Sequence, residues 1–151
     1  MLMQSFIRNG IVAFWAIWFA VVFAGNVCDG LKAATILPQQ WPFASGNYAF
    51  MCGVTQPFHV PEALPVIMFA GVVAWEGIAT VFFFRAAYLS WCKSNSARHA
   101  TQSAFAIGLA LRAAFAIADE VFIAYAVEAT HMRLFTAQLV SLLYLALVSD
   151  D

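Results

Sequence analysis

The chain has 151 residues, 64% of them hydrophobic and 10% charged, with a mean hydropathy of +0.82. About a quarter of the residues of a water-soluble domain are charged, so this composition excludes a chain that coats its own surface with polar groups. The formal net charge of −1, with no basic stripe, gives no attraction to nucleic acid.

A helix crossing the ~30 Å hydrocarbon core of a bilayer needs roughly 20 apolar residues. The first run, about residues 6–27, meets that requirement. A secretory signal peptide is the alternative reading, because Arg8 precedes an apolar stretch that ends in small residues near Ala24 and Gly25. The run is longer than a usual signal core, which favours an uncleaved first helix.

Residues 28–62 form an expected outer, periplasmic-side loop. It mixes Pro38, Pro42, Pro57 and Pro61 with Trp41, Phe43, Tyr48, Phe50 and Phe58, too apolar for a solvated tether and too rich in proline for one long helix. Aromatic side chains suit a membrane interface, so the loop is expected to cap the outer end of the helices. Within it, Asn47 to Val54 is expected to make one or two helical turns, entered through the turn and cap chemistry of Ser45-Gly46-Asn47. Cys28 and Cys52 share this loop. They are either a disulfide, if the compartment is oxidising, or two small apolar fillers; the second reading is preferred, since sequence supplies no bridging geometry.

Three further apolar runs follow, about residues 63–88, 103–127 and 134–148, the last the shortest. Short connections pack neighbouring helices antiparallel. The expected fold is therefore a single all-α domain, an integral membrane four-helix bundle running up, down, up, down. Arg8, Arg85, Lys93 and Arg98 fall at one end, against Lys32 and Arg133 at the other, which orients both termini to the cytoplasm. Alanines recur every four residues at Ala106, Ala110, Ala114 and Ala118, and again at Ala16, Ala20 and Ala24, giving smooth faces for close helix approach.

Ionisable residues at membrane depth are the sharpest chemical signal, since each costs ~2.5–3.5 kcal/mol at the bilayer centre on insertion scales. Glu76 and Arg112 lie equally far from the loop near Ser94 and Asn95, so antiparallel helices bring them to the same depth, and an ion pair is expected. The alternative is that Glu76 titrates in a proton or cation pathway. Asp119 and Glu120 extend this polar seam outward, with Glu120 taken to share the stripe of Arg112 and Asp119 to point partly elsewhere. The expected role of the two carboxyl groups is to satisfy loop donors or Asn26 and Asn47; hard metals take six or more oxygen ligands, so no metal site is expected.

Haem between the helices needs facing axial ligands. His59 and His99 lie in loops and His131 at the outer start of the fourth helix, so no cofactor is expected, a rim site between His59 and His131 being the remote alternative. No phosphate loop, metalloprotease box or nucleophile elbow is present, so the chain is not expected to be an enzyme.

The chain resembles the bacterial family of predicted small integral membrane proteins with four spans. The likeness rests on Asn26 and Asp29 closing the first helix, Asn47 and Phe50 in the outer loop, Ala74-Trp75-Glu76, Glu120 followed by Phe122, and the terminal Asp150-Asp151. It departs from the family's Gly-Glu-Trp-Phe pattern at Asp119-Glu120-Val121-Phe122 and in its additional loop prolines. The resemblance implies a bacterial inner membrane location and no activity. The expected function is a non-catalytic accessory subunit whose partners are membrane lipid and other integral membrane subunits, with no soluble substrate implied; the alternative is a small homo-oligomeric proton- or cation-coupled transporter or channel using Glu76.

Overall fold

A computed structural model describes residues 2–148, whose regular structure is all helix, with no strand among them. The elements are α1 (Leu2–Ala33), α2 (Asn47–Thr55), a 3-10 turn (Gln56–Phe58), α3 (Ala63–Trp91), α4 (Ala97–Val121) and α5 (Tyr125–Val148). Asp150 and Asp151 lie outside the described residues.

The long helices pack in chain order, α1 on α3, α3 on α4 and α4 on α5, while α1 and α5 meet only narrowly. That narrow contact includes Trp15, whose indole N–H donates to Ser141 Oγ at 3.1 Å. The core is aromatic. Phe19 stacks on Phe83 at 5.1 Å between centroids, and Phe83 meets Phe105 edge-on at the same separation, all three rings fully buried.

Outward faces carry large apolar side chains, among them Phe6, Phe14, Ile17, Ile78, Val81 and Leu143. Buried positions include Asn26, Glu76, Arg112, Asp119 and Gln138. Two helices, Met3–Ala33 and Ala63–Trp91, are long and apolar enough to cross a membrane by length and composition.

Helix boundaries differ from the sequence expectation at several places. The helix α3 runs three residues past 88, α4 starts at Ala97 rather than 103 and α5 at Tyr125 rather than 134, because polar residues such as Arg98, Glu128 and His131 extend the helices beyond their apolar runs. Two further differences have local causes. The first helix runs on to Ala33, because nothing between Val27 and Lys32 breaks it and the buried Asp29 finds donors on α2. The third was expected to continue to residue 127, but it ends at Val121 and α5 starts at Tyr125. This end is a Schellman turn: Ala124 N–H donates to Asp119 O at 2.7 Å and Ile123 N–H to Glu120 O at 3.4 Å. Ile123 holds the left-handed φ of 55° that such a turn needs. The usual sequence sign is glycine, and here a β-branched residue stands instead.

A non-glycine residue in that region costs ~1–2 kcal/mol. Ile123 is 62% exposed, so its side chain contributes little burial. Ile123→Gly is therefore expected to stabilise the fold by about 1 kcal/mol after glycine's extra unfolded-state freedom is subtracted, a rise in Tm of roughly 2–4 °C for a chain of this size. Thermal unfolding in detergent measures it, and an unchanged or lower Tm contradicts the account.

A polar cavity roofed by α2

A cavity of about 430 Å³ lies among α1, α3, α4 and α5, with α2 along its outer end. Its polar lining includes Asn26, Asn47, Glu76, Arg112, Asp119 and His131, and Thr130, which is exposed, marks where it reaches the surface.

The roof is fastened by Asp29. Its Oδ2 accepts the Tyr48 backbone N–H at 2.8 Å and the Ser45 hydroxyl at 3.1 Å. The first N–H groups of a helix lack internal acceptors, and an anion there is favoured by the helix dipole. Asp29 of α1 thus caps α2 from another helix, standing in for the side chain that Gly46 lacks. Gly46 in turn is required by its φ of 77°. The expected Ser45-Gly46-Asn47 entry is present, and Ser45 Oγ accepts the Asn47 N–H at 3.2 Å.

Below the roof, Asn26 links two elements. Its Nδ2 donates to Glu76 Oε2 at 2.7 Å, and its Oδ1 accepts from Asn47 Nδ2 at 2.9 Å. Glu76 is 2% exposed and Asn26 1%. A buried carboxyl group without a donor is costly, and α1 supplies one.

The structure brings Glu76 and Arg112 to the same cavity but does not join them. Among the described residues they form no ion pair within 4.0 Å. Equal residue counts fix height along antiparallel helices, not the direction each side chain takes. Asn26 occupies Glu76, while the Arg112 guanidinium carbon lies 5.4 Å from the Phe19 ring centroid and 5.9 Å from that of Phe115, cation–π distances. Arg112 Nε and Nη2 are buried with no hydrogen-bond partner.

The outer carboxylates exchange the places expected of them. Asp119 is 5% exposed and lines the cavity, whereas Glu120 is exposed. At 3.6 residues per turn, seven residues return to about 20° of the Arg112 direction, and eight overshoot by about 80°. Asp119 Oδ2 sits 2.6 Å from His131 Nδ1, and the imidazole stacks on Phe115 at 4.9 Å. That pairing across the α4–α5 turn was not anticipated, although residues facing each other across a helical hairpin were its signal.

Gln138 was also missed. It is fully buried on α5 with both amide atoms unpartnered, and its amide lies where a side chain at Gly108 would stand. A lone amide inside the Leu-rich α5 was the available clue. Cys28 and Cys52 are free thiols, both half-buried, and Cys52 lies one turn beyond Tyr48 on α2.

No three His, Cys, Asp or Glu side chains among the described residues group as a metal site requires. The chain matches no protein-family model, no curated protein and no solved structure. None of these comparisons identifies a family.

Proposed function

We propose that the chain is a multi-pass membrane protein of four spanning helices whose polar cavity takes up a small solute, a binding or carrier protein rather than an open pore. The observation that carries this reading is that Glu76 and Arg112, both buried, border one cavity without neutralising each other. Charged groups inside a membrane bundle are costly, and those that persist mark solute or ion paths. The apolar outward faces of α1, α3 and α5 suit lipid, and the two longest apolar helices meet the length a bilayer demands.

An aromatic layer argues against a channel. Phe19, Phe83 and Phe105 each stand seven residues inward of Asn26, Glu76 and Arg112, or ~10 Å along the helices. In mutual contact and fully buried, they fill the interior between the cavity and the end carrying Arg8 and Arg98.

Thiol accessibility tests the reading. In a background with Cys28, Cys52 and Cys92 changed to serine, Val72→Cys in the cavity wall is expected to react with a membrane-impermeant maleimide from the outer face of intact cells. Ala79→Cys, beside the aromatic layer and fully buried, is expected not to react. An inert Val72→Cys sinks the solute cavity, and equal reaction at both positions would mean a continuous pore.

A second reading, the accessory subunit, draws on the alanine stripe of α4. Ala106 and Ala110 are exposed and leave a smooth outward face for a helix of another subunit.

A further inference from the structure

Resting on the solute-cavity reading, we infer that the ligand is a small zwitterion with an apolar body, the α-amino-acid class, its cationic group at Glu76 and its anionic group at Arg112. The cavity sets opposite charges apart at one depth and leaves each incompletely served. Glu76 Oε2 is held by Asn26, and no donor among the described residues reaches its second oxygen. On Arg112 the two unpartnered atoms are Nε and Nη2. Their N–H bonds run parallel along one edge of the guanidinium, the fork that grips a carboxylate through two hydrogen bonds. Both atoms are sealed from solvent, so the guanidinium must turn toward the cavity it borders as the ligand arrives.

Neither simple ion satisfies this lining. An anion alone would engage Arg112 and face the Glu76 carboxyl oxygens; a cation alone would engage Glu76 and leave the Arg112 donors without an acceptor. The other acidic group does not compete, because Asp119 is already paired with His131. A zwitterion answers both positions and enters without net charge, which lowers the cost of leaving water. Its ammonium and carboxylate are only a few atoms apart, matching charges that share a cavity without touching.

The remaining walls select the body of the ligand. Phe50, Met51, Met68, Phe69, Val72 and Phe115 are apolar and offer no further charge. The volume of about 430 Å³ falls in the ~300–1,000 Å³ range of small-molecule sites. A branched aliphatic or aromatic side chain fills such walls; a second charge on the ligand would be unpaired there.

Calorimetry on the full-length protein in mild detergent, with three probes of one carbon skeleton, tests the inference. L-leucine carries both charges, isocaproate lacks the ammonium group and isoamylamine lacks the carboxylate. L-leucine is expected to bind more tightly than either fragment by roughly tenfold or more, since each fragment forfeits a charge-assisted contact. Glu76→Gln is expected to bring L-leucine down toward isocaproate, and Arg112→Lys, which keeps the charge but loses the fork, to weaken L-leucine and isocaproate alike while sparing isoamylamine. The probe comparison on the unaltered protein stands even where a variant fails to fold. A fragment binding as tightly as L-leucine overturns the zwitterion and leaves the solute cavity intact; no binding by any of the three overturns both.

Discussion

Asn26→Leu is expected to cost about 2–4 kcal/mol, since it leaves two hydrogen-bonding groups unsatisfied at ~1–3 kcal/mol for each buried one. The substitution keeps the shape of the side chain and deletes the amide. Glu76, 2% exposed, then loses the 2.7 Å donor to its Oε2, and Asn47 loses its acceptor. Folded domains are stable by only about 5–15 kcal/mol, so a large fraction of the protein is expected to be lost as aggregate on size-exclusion chromatography in detergent.

The identity of the rescuing substitution is the stronger test. Asn26→Leu combined with Glu76→Met removes the stranded carboxyl group and is expected to restore most of the loss. Asn26→Leu combined with Arg112→Met is not, because it also withdraws the positive charge bordering the same cavity. Rescue by the arginine change in place of the glutamate change would mean that Arg112, rather than Glu76, is the buried charge that loss of Asn26 leaves stranded. A single Asn26→Leu variant as stable as the parent would mean that neither bond matters.

Gln138→Met is expected to stabilise the protein by about 1–3 kcal/mol, the cost of a buried polar group left without a partner. Methionine has nearly the same length and volume and carries no amide. Gln138 is fully buried and both its Nε2 and Oε1 are unpartnered, so nothing is lost in exchange. The same contact predicts an opposite sign on the facing helix. A Cβ at Gly108 would overlap the Gln138 amide, so Gly108→Ala forces that side chain out of its site and is expected to destabilise by about 1–3 kcal/mol. Pairing it with Gln138→Ala should recover that loss. Thermal unfolding of the three variants decides the matter, and a destabilised Gln138→Met would show that the amide has a role the contacts do not reveal.

Much of the helical plan was legible because it depends on short-range rules. Apolar runs marked where the long helices lie, prolines kept the 38–61 segment from forming one helix, and Ser45-Gly46-Asn47 announced α2. Equal counts from the α3–α4 connection also brought Glu76 and Arg112 to one cavity. What did not follow was azimuth. Whether two groups at the same height touch depends on which way each side chain leaves its helix, and Asn26, on a third helix, took the position expected of Arg112.

The exchange between Asp119 and Glu120 was recoverable, since helical periodicity alone favours the residue seven beyond Arg112 over the one eight beyond. The α4–α5 turn was not. Thr35, Lys93 and Ile123, all at positive φ just past helix ends, carry no glycine to announce them. There the chain accepts local backbone cost where packing of the flanking helices dictates the turn, and no composition rule reads that.

Asn26 holds the carboxyl group beneath it with its nitrogen and the roof above it with its oxygen. One rigid amide plane therefore transmits tilt between floor and lid: an occupant that tugs Glu76 sideways must also pull on Asn47. In the proposed solute cavity, binding at Glu76 would therefore be geared to the seating of α2 by a lever one side chain long, and the gearing would run equally in both directions.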